Sequence, residues 1–414
     1  MSILDIPKEC LGLILHNLDI ESLCRFNQVS RKAQKISTDA CHWRTRLQKQ
    51  WPIISEIYQI EIEKMGTKFA YARLQTKERL NWSERQFMKI SLYQPNENHP
   101  PAVLFDENSK WMIVITTSNV YVQNKHTRQV SQIQTSSGKV ALTALSNNHL
   151  IYSLDQGDIC SCNLRKNTTA VIGNLKDQWD PNCLTMLNKT LCIGTIRGRI
   201  VFADIELKTC SPIASGHRYK VNVMQSNTYN YHLYSGSDDK TIISWDTVQC
   251  KRISTLCGHQ QPIVSLAPMN EHNFASGSVD STIKIWDERS PSFSYSLADH
   301  KKTVDHLTFI GNNLISAGYD KTVRVWDLRM GRSQLLIEDS ERITGLYADI
   351  NTVVAGSYGG NVHVASLRAK FPNYKIEERM IPISGMKADK KHICALFTNG
   401  ELMQYDFSAE QMFF

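Results

Sequence analysis

One stretch of this chain, residues 216–327, contains the same sequence pattern three times. The copies read GHRYK…YSGSDDKTIISWD, GHQQP…ASGSVDSTIKIWD and DHKKT…ISAGYDKTVRVWD. Their histidines are 42 and 41 residues apart, and their tryptophans are 41 and 40 residues apart. These residues are His217, His259 and His300, and Trp245, Trp286 and Trp326. A fixed period of about 40 residues predicts one small structural unit repeated along the chain.

Each unit has the pattern of a small sheet. Alternating apolar and polar residues indicate strands, a turn follows at DK or DS, and β-branched residues then end in Trp-Asp. One four-stranded sheet cannot bury both of its faces, so neighbouring sheets must stack around a ring. The period and the Trp-Asp ending closely resemble WD40 repeats, and the resemblance implies a β-propeller.

The resemblance also gives the polar residues of the repeat a role. In WD40 repeats a His, a Ser or Thr, an Asp and the Trp form a hydrogen-bonded chain inside each blade. The matching sets here are His217, Ser235, Asp239 and Trp245; His259, Ser276, Asp280 and Trp286; and His300, Ser316, Asp320 and Trp326. The alternative is a catalytic Ser/His/Asp triad. A triad needs one exposed nucleophile, whereas this set recurs in every strong repeat, so the structural interpretation is favoured.

Weaker copies extend the repeat in both directions. The residues aligned with the tryptophans are Gln123, Cys162, Ala203, Ala365 and Tyr405. The successive spacings over all eight positions are 39, 41, 42, 41, 40, 39 and 40 residues. This uniformity favours eight blades, with seven as the alternative. The weak copies have lost the Trp and mostly the His, and Trp179 and Asp339 stand where two of the histidines would be.

The ring needs a closing strand. One blade usually takes a strand from the other end of the chain, because this removes an exposed sheet edge. Residues 85–93, RQFMKISLY, are predicted to complete the blade that ends near Phe407. The propeller is therefore predicted to span residues 85–414. The fold class is mainly β with an N-terminal α part.

Charge and cysteine usage limit the classes of partner. The net charge is +7, but residues 1–90 carry 15 Lys/Arg against 10 Asp/Glu, and the propeller carries 32 against 30. This balance does not call for a nucleic acid, and none is expected as a partner. The eleven cysteines include no C-x-x-C pair, which favours buried free thiols in a reducing compartment over disulfides or a zinc site. No metal or cofactor is expected.

The first residues do not resemble a signal peptide, because charges interrupt the apolar residues of MSILDIPKECLGLILHNLD. No apolar run is long enough to span a bilayer. We expect a soluble protein that binds no membrane and is cytoplasmic and/or nuclear.

Residues 1–50 have the pattern of three short helices. Asp5 can cap the first, with Pro7 in its first turn; a second begins after Asp19, and Asp39 can cap a third. Leu11, Ile14, Leu15 and Leu18 are spaced i, i+3, i+4 and i+7. These apolar faces are large for a free-standing unit of fifty residues.

This segment resembles the F-box. The matching parts are the Ile-Pro start, the ILHNL helix, a Leu-containing second helix, the VSRK turn and a late Trp, although the usual start is Leu-Pro. The order F-box, helical linker and propeller is that of the F-box/WD-repeat family. Residues 51–84 have mixed helical spacings without Gly/Ser-rich stretches, which predicts a stiff helical linker.

The resemblance implies a division of labour. The F-box would bind the Skp-type adaptor of a cullin-RING ubiquitin ligase, and the propeller would hold the protein substrate. The adaptor-binding residues implied are Ile6, Pro7, Leu11, Ile14, Leu15, Leu18, Leu23, Val29 and Trp43. In the alternative, these helices pack on the propeller and recruit nothing.

In WD propellers the loops after the His and the turns with the Asp lie on one face, around the channel mouth. Aligning the repeats with that arrangement predicts substrate-binding residues there. They are Arg197, Lys220, Asn222, Asp238, Asp305, Tyr319, Arg342 and Tyr358. Arg and Tyr often anchor protein interfaces, and an acidic or phosphorylated substrate would suit the cations. The alternative for each is an ordinary solvated loop residue.

Three function classes remain to be compared. The first is a non-catalytic substrate receptor of a ubiquitin ligase, and the second is a WD scaffold without a ubiquitin role. The third is a hydrolase with a metal in the channel, which the absence of a repeated acidic or His ligand set disfavours. The sequence also lacks GxxxxGK[ST], HExxH and GxSxG motifs, so we expect no enzyme.

Overall fold

The fold is a β-propeller of eight sheets. The computed structural model describes residues 88–95, 102–107, 111–116, 119–124, 130–134, 140–145, 149–154, 158–166, 168–174, 181–187, 190–204, 209–210, 214–290, 292–367, 372–389 and 392–407. All regular secondary structure in the described residues is β-strand, and the strands form eight sheets. The predicted F-box at 1–50 and helical linker at 51–84 lie outside the described residues.

The first strand, β1 (Met88–Tyr93), precedes the first complete sheet. In the next four sheets the strands pair in chain order, except that β13 and β14 of blade 3 both pair with β12. Blade 1 is β2 (Ala102–Glu107), β3 (Trp111–Thr116), β4 (Asn119–Asn124) and β5 (Val130–Gln134). Blade 2 is β6 (Val140–Leu145), β7 (His149–Leu154), β8 (Asp158–Asn163) and β9 (Thr168–Asn174). Blade 3 is β10 (Pro181–Leu187), β11 (Thr190–Thr195), β12 (Arg199–Asp204), β13 (Thr209–Cys210) and β14 (Ala214–Ser215), and blade 4 is β15 (Val221–Asn227), β16 (His232–Ser237), β17 (Thr241–Asp246) and β18 (Lys251–Cys257).

The second half of the ring has the same organisation. Blade 5 is β19 (Ile263–Pro268), β20 (Asn273–Ser278), β21 (Ile283–Asp287) and β22 (Phe293–Leu297). Blade 6 is β23 (Val304–Ile310), β24 (Asn313–Gly318), β25 (Thr322–Asp327) and β26 (Arg332–Glu338). Blade 7 is β27 (Ile343–Ala348), β28 (Thr352–Ser357), β29 (Asn361–Ser366) and β30 (Tyr374–Glu378). Blade 8 contains β31 (Ile383–Ala388), β32 (His392–Phe397) and β33 (Leu402–Asp406).

Blade 8 takes its fourth strand from the start of the described chain. The order in this sheet is β1-β33-β32-β31. The predicted closing strand is thus confirmed, although the described strand begins at Met88. The innermost strands pack against one another in turn around the ring, and β31 of blade 8 packs against β2 of blade 1. No innermost strand is left at an open end.

The prediction of eight blades is confirmed. Every residue aligned with a repeat tryptophan is the second-last residue of the third strand of its blade. In blades 4, 5 and 6 this residue is a buried Trp, and elsewhere it is Gln123, Cys162, Ala203, Ala365 or Tyr405. The period is visible in the sequence because the residue aligned with the Trp has the same position in its strand in every blade, even where the Trp is lost.

The hydrophobic core lies between neighbouring blades. Trp286 of blade 5 packs with Tyr234 and Leu256 of blade 4, and Trp245 of blade 4 packs with Phe202 of blade 3. At the closure, Phe105 of blade 1 belongs to the same cluster as Leu402 and other residues of blade 8. Burial between sheets explains why a single blade would not be stable alone.

A β-bulge recurs near the start of the innermost strand of all eight blades. The register shifts by one residue where this strand pairs with the second strand. The extra residues are Val103, Ala141, Asn182, Asn222, Val264, Asp305, Thr344 and Ser384. Bulges redirect side chains. Two residues predicted to bind substrate, Asn222 and Asp305, therefore occupy bulge positions.

Candidate functional site

The polar residues of the strong repeats form the predicted hydrogen-bonded chain. In blade 5 the His259 Nδ1 is 2.9 Å from Asp280 Oδ2, and its Nε2 is 2.7 Å from Ser276 Oγ. Trp286 Nε1 donates to the same Ser276 oxygen at 2.7 Å. The matching sets in blades 4 and 6 have distances of 2.6 to 2.9 Å. The predicted chain is confirmed in all three blades.

These sets have the hydrogen-bond connectivity of a catalytic triad, but their serines are not accessible to a substrate. Ser276 is completely buried, as are Ser235 and Ser316. Each hydroxyl oxygen is already within hydrogen-bond distance of a histidine and a tryptophan. A nucleophile must reach a substrate carbonyl, and these oxygens cannot do so. The sets stabilise the interior of the blades.

The same aspartates hold the loops of one face. The backbone N–H groups of Arg218, Gln260 and Lys301 donate to the carboxylates of blades 4, 5 and 6 at 2.9, 2.9 and 3.1 Å. These residues directly follow the repeat histidines. Each carboxylate therefore joins the loop that enters its blade to the turn between its second and third strands. We call the surface formed by these loops and turns the upper face.

The hydrogen bonds favour the ionised form of these aspartates. Burial opposes ionisation of Asp320, but the hydrogen bond from His300, the charge of that imidazole and the N–H of Lys301 lower the pKa of Asp320 to about 2. The pKa values of Asp239, Asp280 and Asp339 are also lowered, since hydrogen bonds again outweigh burial. A lowered carboxyl pKa stabilises the fold above the unfolded pKa, which is about 4.

This shift predicts a specific pH dependence. Wild type is expected to be more stable than Asp320→Asn at pH 5 to 7, and the difference should shrink as the pH falls from about 4 to about 2. Urea unfolding of both proteins at several pH values measures this. Asp327→Asn, at the exposed end of β25, is the control for loss of one carboxylate. An Asp320→Asn difference that is the same at pH 7 and pH 2.5 would contradict the prediction.

Blade 7 uses a different set of residues for the same purpose. Asp339 stands where the strong repeats have His, and it is buried. Asn361 Nδ2 donates to both of its oxygens at 3.1 and 3.0 Å, and His363 Nε2 also contacts the carboxylate. The N–H of Glu341 donates to Asp339 at 3.0 Å. In blade 7 the buried acid therefore lies in the loop itself, and the imidazole, His363, comes from β29.

Three of the eight predicted upper-face residues come together. The guanidinium carbon of Arg342 is 4.9 Å from the ring centre of Tyr319 and 4.7 Å from that of Tyr358. Its Nη1 donates to the Tyr319 hydroxyl at 2.8 Å. Both tyrosine side chains are exposed. We call this group the Tyr319–Arg342–Tyr358 clamp; it joins blades 6 and 7.

Backbone hydrogen bonds position the clamp. The N–H of Tyr358 donates to the carbonyl of Arg342 at 2.8 Å, and the N–H of Tyr319 donates to Thr303 at 3.0 Å. The Nζ of Lys321 donates to the Ser340 carbonyl and is 3.9 Å from a Glu341 oxygen. The loop that carries Arg342 is thus held from blade 6 and from blade 7.

Asn222 and Asp238 are paired with each other. Asn222 Nδ2 donates to Asp238 Oδ1 at 2.7 Å and to the Ile263 carbonyl of blade 5 at 3.1 Å. The N–H of Asp238 donates to the carbonyl of Lys220 at 3.0 Å. Asn182 of blade 3 likewise donates to the Val221 carbonyl of blade 4 at 2.7 Å. These bulge asparagines join successive blades.

The remaining predicted residues stand apart from the clamp. Arg197 is exposed in the turn that follows β11 of blade 3. Asp305 is half-buried at the blade 6 bulge, with Oδ2 3.8 Å from His306 Nε2. Met380 was not predicted, although it is fully exposed beside the clamp turn. Its neighbours Arg379 and Ile381 contact Gly360, two residues after Tyr358.

A second polar cluster, which the sequence analysis missed, joins blades 4 and 5. The buried carboxylate of Glu288 is 2.9 Å from His232 Nδ1 and 3.0 Å from His272 Nδ1. Tyr234 donates its hydroxyl hydrogen to Glu288 at 2.8 Å. No pattern in the sequence pointed to this glutamate. Both carboxylate oxygens of Glu288 have hydrogen-bond partners, and these partners come from blade 4 and blade 5. The cluster therefore connects the two blades.

The described residues contain neither a candidate metal site nor a candidate membrane-spanning helix. In that part of the chain no group of three or more His, Cys, Asp or Glu side chains could hold a metal ion. Nor does that part contain a helix long and apolar enough to cross a membrane.

Two family models match the chain. The WD domain, G-beta repeat model matches residues 208–246, 250–287 and 291–327, and the F-box-like model matches residues 3–49. The WD40 propeller is a non-catalytic fold that binds other proteins.

Curated relatives and solved structures are similar to only part of the chain. U3 small nucleolar RNA-associated protein 15 homolog of Xenopus tropicalis is 33% identical over 36% of this chain and 29% of its own length. WD repeat-containing protein slp1 of Schizosaccharomyces pombe is 26% identical over 40% of this chain and 32% of its own. The chain thus spans about a third of the length of these relatives. The crystal structure of the computationally designed Ika8 protein, at 20% identity, covers 74% of this chain and 97% of its own with a TM-score of 0.65, which shows the fold alone.

Proposed function

We propose that this chain, an F-box/WD-repeat protein with an F-box-like domain at residues 3–49 ahead of its WD40 repeats, is the substrate-recognition subunit of an SCF-type ubiquitin ligase. The observation that carries the proposal is this domain order. A helical adaptor-binding module joined to a rigid protein-binding disc suits a receptor that brings two proteins together.

The proposal assigns a partner to each part. The F-box-like segment binds a Skp-type adaptor and, through it, a cullin-RING ligase, using the apolar residues identified in the sequence. The propeller binds the protein to be ubiquitylated on its upper face. The receptor itself catalyses no step: it raises the local concentration of the substrate at the ubiquitin-charged enzyme.

The upper face has the features that this role needs. The aspartates of the repeats fix its loops from below, so the exposed side chains are pre-positioned. The face also exposes large apolar side chains, namely Ile196, Tyr219, Val279, Tyr319, Tyr358 and Met380. Exposed apolar and aromatic residues on a rigid surface are typical of protein interaction sites.

The test of the receptor role is adaptor binding by the full chain. Wild type is expected to bind a purified Skp-type adaptor, and Leu15→Asp/Leu18→Asp is expected to weaken binding about 100-fold or more, because charges would enter an apolar interface. Biolayer interferometry measures the affinity. Arg342→Gln, in the propeller, is the matched control and should bind the adaptor like wild type.

A second candidate function is a WD scaffold that assembles complexes without a ubiquitin role. It is favoured by the similarity to proteins whose names refer to other assemblies, such as the U3 small nucleolar RNA-associated protein. Such a scaffold would be nuclear, whereas a ligase receptor would be cytoplasmic and/or nuclear. A wild-type chain that is folded and shows no adaptor binding would reject the receptor and favour the scaffold.

A further inference from the structure

The Tyr319–Arg342–Tyr358 clamp presents a positive charge that no carboxylate of the described residues neutralises. Among the described residues, no carboxylate oxygen lies within 4.0 Å of the Arg342 guanidinium. Its contacts are the two tyrosine rings and the Tyr319 hydroxyl. Arg342 is half-buried as a residue, and only one of its guanidinium N–H groups has a described hydrogen-bond partner. A cation held in this way is suited to an anionic partner.

The hydroxyl groups of the clamp add hydrogen-bond donors. Tyr319 accepts a hydrogen bond from Arg342 and retains its own O–H for a ligand. The Tyr358 hydroxyl has no hydrogen-bond partner in the part of the chain that the structure describes. The clamp therefore contains two O–H groups and a planar guanidinium. A carboxylate, with two oxygens in one plane, matches this set of donors.

Charge favours a carboxylate over a phosphate. Arg342 supplies one positive charge, which equals that of one carboxylate, whereas a phosphoryl group carries about −1.5 to −2 at pH 7. Lys321, in the turn that also carries Tyr319, is already hydrogen-bonded to the Ser340 carbonyl and lies 3.9 Å from Glu341. Within the clamp itself a dianion would therefore meet a single cation, Arg342.

The surroundings of the clamp are apolar on one side. The rings of Tyr319 and Tyr358 are exposed, and Met380 is exposed on the loop that contacts Gly360. A peptide whose acidic residue is next to an apolar residue would place the carboxylate at Arg342 and the apolar side chain against Met380. This arrangement buries apolar surface around the ion pair, which strengthens it.

We propose that the Tyr319–Arg342–Tyr358 clamp binds an unphosphorylated acidic residue of a peptide, with an apolar residue beside it, in the substrate of this protein. The inference rests on the proposed function, because it names the substrate class of the same upper face. The loop 339–342 is held by Asp339 and by Lys321, so the clamp is formed before the peptide binds. Little ordering is then needed on binding.

The test is peptide selection by the immobilised full chain. The probes are heptapeptide libraries with amidated C termini and a central residue fixed as glutamate, glutamine or phosphoserine; a fourth library ends in a free carboxylate and has no acidic side chain. Wild type is expected to retain the glutamate library about 10-fold more than the glutamine library. It should prefer glutamate over phosphoserine and over the free C terminus, and it should enrich apolar residues beside the glutamate.

Variants connect the selection to the clamp. Arg342→Gln is expected to abolish the preference for glutamate, and Arg342→Lys should reduce it, because an ammonium group keeps the charge but not the planar donors. Arg329→Gln, which removes an exposed arginine from the turn between β25 and β26 of blade 6, is the matched control and should select like wild type. Unchanged thermal unfolding would show that Arg342→Gln is folded.

Four results would overturn the inference: equal retention of the glutamate and glutamine libraries, a preference for phosphoserine, a preference for the free C terminus, or a glutamate preference that survives Arg342→Gln. Adaptor binding is measured separately on the same preparations. If the adaptor does not bind while glutamate selection depends on Arg342, the ligase role fails and the clamp stands. If the adaptor binds and no glutamate selection occurs, the clamp inference fails alone.

Discussion

Replacing Trp286 with alanine is expected to lower the free energy of unfolding by about 3 to 5 kcal/mol. The indole is completely buried between blades 4 and 5. It stacks on Phe274 at 6.3 Å between ring centres, and it meets Phe293 edge-on at 5.8 Å. Alanine would leave a cavity between two rigid sheets, which cannot close around it. Urea unfolding followed by near-ultraviolet circular dichroism measures the change.

The control for this prediction is Trp286→Phe. This variant keeps an aromatic ring but loses the Nε1–H that donates to Ser276. It is expected to cost about 1 to 2 kcal/mol, the range for one buried hydrogen bond. A loss below 1 kcal/mol in Trp286→Ala would mean that the interface between blades 4 and 5 does not depend on the tryptophan.

Replacing Gly360 with alanine is expected to destabilise the propeller by about 3 kcal/mol or more. Gly360 has a φ of +83°, which disfavours side chains. A Cβ there would lie 1.8 Å from the Arg379 carbonyl oxygen and 2.6 Å from that of Ile381. Both atoms belong to the backbone of the loop that enters blade 8, so the loop would have to move. Thermal unfolding and urea unfolding of the variant measure the cost.

Gly331 provides a matched control for Gly360. Its φ is +63°, but an added Cβ would have no heavy atom within 4 Å. Gly331→Ala should therefore cost only the backbone term, about 1 kcal/mol. Equal losses in the two variants would show that the close approach of Gly360 to residues 379–381 contributes nothing to stability.

The sequence predicted the parts of the fold that repeat. The spacing of Trp245, Trp286 and Trp326 identified the blades, and the uniform period placed Ala203 and Cys162 correctly although neither resembles a tryptophan. The hydrogen-bonded sets of blades 4 to 6 were also predicted. These features lie within single repeats, and the repetition made them visible.

The features that could not be predicted join different blades or replace a repeat residue. Asn361 and His363 supply the partners of Asp339, and no rule of the repeat implies this exchange. The upper-face position of Tyr319 and Arg342 was predicted one residue at a time, but not their contact, which joins blade 6 to blade 7. Pairing across blades depends on the angle between sheets, and a single sequence does not give that angle.

The strand pairing of blade 8 has a consequence during protein synthesis. About 300 residues separate β1 from β33, its neighbour in the sheet. At about 5 to 20 residues per second, a nascent chain would wait roughly 15 to 60 seconds between making the two strands. For that time the ring is open, and β1 and the interfaces of the first and last blades lack their partners. A ribosome that stops before Leu402 would release a product that exposes sheet edges, the kind of surface that chaperones bind and that aggregates.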